Sequence, residues 1–213
     1  MREYLNITNE CNMELMKRYE DNHFDLAIVD PPYGIGNKLV DGGGTRKAKF
    51  DNKRDSVKWD NLPTNEYFEE LFRVSKNQII WGSNYFDLPP TRCNLIWDKM
   101  QIFTGSDFEL AWTSFDKASK AFRMSRIEAY SKGKIHPTQK PAALYQWLLT
   151  KYAEPNFKIV DTHLGSGSIA IAVDSVNKIE KMNLTLTACE LDTEYYQTAT
   201  KRIEEQTTWN SLF

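Results

Sequence analysis

The pattern of apolar and polar residues divides the chain into short strands and amphipathic helices that take turns. Residues 4–8 read as a strand and 12–19 as a helix with Met13, Leu15 and Met16 on one side. Residues 24–29 form an apolar run of strand length, as expected for a strand covered on both faces. A helix is expected from Thr64, whose hydroxyl suits an N-cap, with Phe68, Leu71 and Phe72 turned inward. Strands follow over 78–81, 94–97 and 108–112, rich in aromatic and β-forming residues. Pro141 opens a helix reaching about Ala153, with Leu144, Trp147 and Leu148 as its core stripe. A strand over 157–160, a tight turn over 161–167 and a helix of small residues over 168–176 come next. A strand over 184–189 and a helix from the cap Asp192 to about Glu205 complete the order. Two stretches carry no period: 34–60, with glycines at 34, 36 and 42–44, and 117–135, expected as loop or weak helix. Strands alternating with helices in 213 residues predict one α/β domain with a doubly wound, mostly parallel sheet.

The run over 24–29 ends in Asp30-Pro31-Pro32-Tyr33. Two prolines fix φ and remove backbone donors, so the strand must stop there and the following carbonyls stay unpaired. Asp30 and Tyr33 are thereby held on a stiff turn at the carboxyl end of a central strand, where open α/β sheets bind ligands. An acid and a carbonyl can accept both hydrogens of an amino group, and a tyrosine ring can stack on the flat heterocycle that carries it. Trp81, Trp97, Trp112 and Trp147 lie in strand or helix patterns and read as core.

A second concentration of chemistry is Asp161-Thr162-His163-Leu164-Gly165-Ser166-Gly167-Ser168, a strand end, a glycine turn and a helix start. Glycines let a ligand approach the backbone, and free amides at the helix start attract polar groups. Glu190 lies 23 residues beyond Gly167, at the end of the next strand. That is where nucleoside-binding sheets place the carboxylate for ribose hydroxyls. With Ala170 the turn also fits a dinucleotide pattern. Only 43 residues follow Ala170, however, and a nicotinamide site would leave Asp30-Pro31-Pro32-Tyr33 without a task. The adenosine end of a different cofactor fits better.

Charge sharpens this. The net charge is −2, yet residues 34–60 hold seven basic side chains against four acids. Residues 117–140 hold seven against Glu128 alone. An acidic scaffold with a basic mouth suits a phosphate-bearing partner. Cys11, Cys93 and Cys189 are odd in number and far apart, which suits free thiols in a reducing cytoplasm. No apolar run reaches membrane-spanning length, and the N-terminus is polar from Arg2, so neither a membrane anchor nor a secretory leader is expected.

With these pieces in place the chain resembles the DNA amino-methyltransferases, which use S-adenosylmethionine to methylate an exocyclic amino group. Asp30-Pro31-Pro32-Tyr33 is similar to the catalytic motif in its N6-adenine form, and Asp161–Ser168 to the cofactor glycine motif. His136-Pro137-Thr138-Gln139-Lys140-Pro141 is similar to a segment that closes over the methionine end of the cofactor. Catalytic motif first and cofactor motif last is the permuted order of the β group. The resemblance covers about residues 5–205 and implies a seven-stranded-type methyltransferase sheet with helices on both faces.

It further implies that Asp30, Pro31, Pro32 and Tyr33 are catalytic. Asp161, His163, Leu164, Gly165, Ser166, Gly167, Ser168, Glu190, His136, Thr138 and Lys140 would hold S-adenosylmethionine. Double-stranded DNA is the implied partner, met by Lys38, Arg46, Lys47, Lys49, Lys53, Arg54, Arg123 and Arg126. His163 stands where the family has Phe, Ser168 where Thr is common, and Cys11 where an acid precedes the first helix. Only residues 113–135 are left for target recognition, which the loop 34–60 or a second subunit in a homodimer would share. No metal is implied. Methylation of cytosine N4, and a non-catalytic binding module on the same fold, are the competing readings. Reversing the charge of several lysines over 34–58 is expected to weaken duplex binding and flatten its salt dependence; an unchanged salt slope would remove this loop from the DNA contact.

Overall fold

The computed structural model describes residues 2–35, 60–101, 106–131, 133–136 and 138–208. The described strands are β1 (Leu5–Asn9), β2 (Phe24–Val29), β3 (Ser75–Trp81), β4 (Asn94–Asp98), β5 (Phe108–Thr113), β6 (Lys120–Arg123), β7 (Lys158–Asp161) and β8 (Thr185–Glu190). The helices are α1 (Asn12–Lys17), α2 (Asn65–Val74), α3 (Arg126–Ala129), α4 (Ala142–Tyr152), α5 (Ser168–Ile179) and α6 (Thr193–Thr208). The strands form one sheet in the order β1-β8-β7-β2-β3-β5-β4-β6. All neighbours are parallel except the β3–β5 and β5–β4 pairs.

Alternation along β2 explains the layering. Leu26 and Ile28 face a core built with Leu144 and Leu148 of α4 and Val173 of α5. Ala27 and Val29 face the other core, with Leu15 of α1 and Leu71 and Val74 of α2, and Phe24 at the first position of the strand joins that core out of the alternation. Helices therefore cover both faces of the sheet, and β2 is buried from both, as its unbroken apolar run requires. The expected caps are present: the Thr64 hydroxyl accepts from Tyr67 N–H at 3.4 Å, and Asp192 Oδ1 accepts from the amides of Glu194 and Tyr195, each at 2.9 Å. Among the described residues no helix is long and apolar enough to cross a membrane.

The sheet has eight strands, one more than the resemblance implied. The addition is β6, an edge strand from the segment expected to be loop or weak helix, followed there by the short α3. Its side chains are mostly exposed, with only Phe122 packed inward against Trp147 at 5.7 Å. A four-residue edge strand of that kind leaves no apolar alternation to read.

Topology fixes where a ligand can bind. β2 and β7 are parallel neighbours, with Leu26 beside Ile159 and Ala27 beside Val160. From β2 the chain crosses by α2 to β3 on one side, and from β7 it crosses by α5 to β8 on the other. These two helices lie on opposite faces of the sheet, so the loops leaving β2 and β7 diverge and open a crevice at the carboxyl ends. Asp30 stands on one lip and the glycine turn on the other.

Gly167 plays a part in this packing rather than in the crevice. Its φ is +75°, and a Cβ there would come within 2.7 Å of Ile203 Cδ1 and 2.9 Å of Ile203 Cγ1 on α6. Gly167→Ala is expected to lower stability by about 2 kcal/mol, from left-handed strain plus overpacking, read as a lower thermal midpoint in calorimetry.

Candidate active site

A cavity of about 880 Å³ occupies the crevice. It is lined from one side by Asp30, Pro31, Pro32 and Tyr33 and from the other by His163, Leu164, Gly165, Ser166, Ser168 and Glu190. His136, Thr138 and Lys140 complete the wall. Thus residues from three distant stretches meet in one space. Asp161 and Gly167 do not line it. Asp161 is buried beneath the turn, where Oδ1 accepts the His163 amide at 2.9 Å, and burial pushes its carboxyl up to about 8. Arg123 is exposed on β6 and pairs with Asp98 at 3.3 Å, and Arg126 opens α3. Lys38, Arg46, Lys47, Lys49, Lys53 and Arg54 lie outside the described residues.

Asp30 is held from two directions. The Tyr33 hydroxyl donates to Oδ1 at 2.5 Å, and the Lys140 ammonium donates to Oδ2. Lys140 also reaches Glu109 Oε2 at 3.1 Å and the Tyr33 oxygen at 3.2 Å, with Trp81 under it at 5.3 Å from the ring centre. An ammonium has three N–H donors. Asp30, Glu109 and Tyr33 account for all three, which ties Lys140 to the Asp30 turn at the cavity wall. Burial pushes the Asp30 carboxyl above its ordinary value, with Lys140 opposing. Burial disfavours the Lys140 cation, yet the carboxylates of Asp30 and Glu109 outweigh it and hold the ammonium protonated.

The Tyr33 ring stacks on Tyr85, 4.8 Å between centres at 11°. Gly82, at the end of β3 with φ +72°, makes room: a Cβ there would lie 2.1 Å from the ring. Tyr85 stacks on Tyr33 and does not line the cavity, whereas Tyr33 does.

The glycine turn is braced by Glu190. Its Oε2 accepts from Gly165 N–H at 2.9 Å and its Oε1 from Asp192 N–H at 3.0 Å. Burial raises the Glu190 pKa, while these amide donors oppose it. Arg202 of α6 donates to the Ser166 carbonyl at 2.6 Å and to Ser168 Oγ at 3.1 Å, holding the turn from behind.

His163 presents a flat polar ring whose two nitrogens are both engaged. Nδ1 lies 3.0 Å from Thr162 Oγ1, and Nε2 lies 3.1 Å from the Asn12 amide. Tyr67 extends the network to Thr162 at 2.7 Å and packs edge-on against His163 at 5.3 Å. Burial lowers the His163 pKa to about 3, so the ring is neutral. His136 is likewise neutral, lowered to about 4 chiefly by burial, with Nδ1 3.1 Å from the Thr138 hydroxyl and the ring against Tyr195 at 4.4 Å.

Sequence reasoning missed Glu109, Tyr85, Asn12 and Arg202. Glu109 had a signal, a lone acid within the apolar strand Phe108–Thr113. The other three act through contacts with distant segments, which carry no local pattern.

The family follows from comparison with known proteins. Residues 80–201 match the model of the N6/N4 DNA methylases, and the chain belongs to that family. The matched stretch contains the His136 segment and the glycine turn, and Asp30–Tyr33 precedes it. The Type II methyltransferase M.HpaI of Haemophilus parainfluenzae is 22% identical, over 91% of this chain and 72% of that protein. Among solved structures, the M1.HpyAVI–SAM complex has a TM-score of 0.59 at 17% identity, covering 93% of this chain and 98% of the other. The PvuII DNA methyltransferase, cytosine-N4-specific, has a TM-score of 0.56 at 12% identity, covering 96% and 93%.

The neutral histidines have a measurable consequence. An unfolded histidine titrates near 6.5, whereas His163 and His136 in the fold refuse a proton until about 3 and 4. As pH falls from about 6.5 the unfolded chain gains protons that the folded chain cannot, so their contribution to stability declines. Denaturant unfolding of wild type against His163→Phe is expected to give a difference that shifts in favour of the variant between pH 7 and pH 4.5.

Proposed function

We propose that this protein is an S-adenosylmethionine-dependent DNA methyltransferase of the permuted β type that methylates adenine N6. The observation that carries the reading is the shared cavity: the Asp30 turn and the Gly165 turn, from neighbouring parallel strands, face the same space. Its composition fits the cofactor. Among the described residues, Glu10, Asp30, Asp60, Glu190, Asp192 and Glu194 line the cavity against Lys140 as the one lysine, which suits a ligand bearing sulfonium and ammonium charges. Glu190 is placed for ribose hydroxyls at the end of β8, next to the glycine turn. The N6 reading rests on the aspartate form of the Asp30 motif. The likeness to a cytosine-N4-specific enzyme supports N4 as the second reading.

S-adenosylmethionine, when bound, would supply the methyl group, with the N–C bond forming as the C–S bond breaks, sulfur keeping the electron pair, and the proton released by the amino nitrogen passing through the Asp30 carboxylate to solvent. The protein's work is positional and electrostatic. A target base is inaccessible within a duplex and has to be flipped into the cavity, at a cost of a few kcal/mol. Tyr33, backed by Tyr85, offers its cavity side for stacking. Asp30 and the Pro31 carbonyl accept the two amino hydrogens, drawing the nitrogen lone pair out of conjugation with the ring. Each carboxylate oxygen accepts about two hydrogen bonds, so Asp30 retains a site beside its bonds to Tyr33 and Lys140. Residues 113–135 contribute to the face toward DNA in this reading, within a single methyltransferase domain.

Labelled cofactor with mixed-sequence DNA, followed by nucleoside separation, is expected to yield N6-methyladenine. N4-methylcytosine would select the second reading, and no labelled nucleoside would refute both. Asp30→Ala is expected to abolish transfer with calorimetric cofactor affinity nearly intact. Glu190→Ala is expected to weaken that affinity by about tenfold or more, the loss of one charge-assisted contact.

A further inference from the structure

The carboxylate of Glu109 is the second acid on the Lys140 ammonium, beside Asp30. Its Oε2 takes Lys140 at 3.1 Å and its Oε1 takes Lys99 at 3.1 Å, so each oxygen holds one cation. The side chains are withdrawn from water: Lys140 is 1% exposed, Asp30 12%, Lys99 13% and Glu109 26%. Four charges thus alternate in sign through successive contacts from the Asp30 turn to the β4–β5 hairpin: Asp30, Lys140, Glu109, Lys99. A buried pair of Asp30 and Lys140 alone would be a tight ion pair, and an acceptor locked to a cation is a poor acceptor for an amine.

We propose that Glu109 is a positioning residue for methyl transfer: by sharing the Lys140 ammonium it leaves the Asp30 carboxylate with enough free electron density to accept the amino hydrogen. This rests on the reading of Asp30 as the acceptor. Glu109 does not touch the amine; it acts through Lys140. Burial works to protonate Glu109, and Lys140 and Lys99 overcome it, so the carboxylate stays charged. The titratable and charged groups around it are Lys140 before α4, Lys99 after β4, Asp30 and Tyr33 after β2, and Tyr130 and Lys134 after α3.

The test is Glu109→Gln, which keeps shape and one acceptor but loses the charge. Cofactor affinity by calorimetry is expected to stay within about twofold of wild type, while kcat falls by on the order of ten- to a hundredfold. With its neighbouring negative charge gone, Asp30 is bound harder by Lys140, so the acid limb of the kcat–pH profile is expected to move down by on the order of one unit. A purely structural role predicts the reverse, because a loosened Lys140 would leave Asp30 less stabilised and carry that limb upward. An unchanged or raised limb, or an unchanged kcat, overturns the proposal. Glu109→Asp is expected to recover part of the rate, and no recovery counts against a charge effect. Lys99→Met provides an independent readout should Glu109→Gln not fold: with Glu109 given over to Lys140, the limb is expected to move up, and a fixed limb overturns the proposal. Transfer lost in Asp30→Ala tests the underlying reading alone, so the two can fail separately.

Discussion

Two parallel strands lying side by side, with their crossovers leaving in opposite directions, are the constraint on which the site depends. β2 and β7 are joined by only a short ladder, and their connections pass over opposite faces of the sheet. The loops at their carboxyl ends must therefore separate, and the crevice between them cannot be closed by either connection. Everything chemical hangs on that gap. Two prolines stiffen one lip, so Asp30 and Tyr33 do not wander. The other lip is tied down by Glu190 from one side and Arg202 from the other.

The lip built on β2 is held by charge and by rings together. Lys140 brings an ammonium from the segment before α4 into contact with Asp30, and Gly82 lets the Tyr33 ring settle against the end of β3. Buried ions are costly unless their partners are complete, and here every one has a partner of opposite sign. The arrangement gives rigidity to the Asp30 carboxylate.

Some of this was legible beforehand because it is local. An apolar run ending in two prolines states where a strand stops and what stands at its end. A strand, a glycine turn and a helix of small residues state a ligand-facing corner, and an acid one strand later states a second. Caps at Thr64 and Asp192 declared their helices through side-chain chemistry within three residues. Edge strand β6 escaped because its exposed residues carry no period, and the strand count rose from seven to eight with it.

What the sequence determined alone is the set of elements and the chemical groups at their ends, since hydrophobic period, proline and glycine act over a few residues. What only the tertiary structure decided is which of those groups meet. The pairing of β2 with β7, the turn of Lys140 toward Asp30, the stack of Tyr85 on Tyr33 and the seat of Gly167 against Ile203 are long-range contacts. Such contacts are selected by packing across the sheet, a property of the whole core that no short stretch of chain contains.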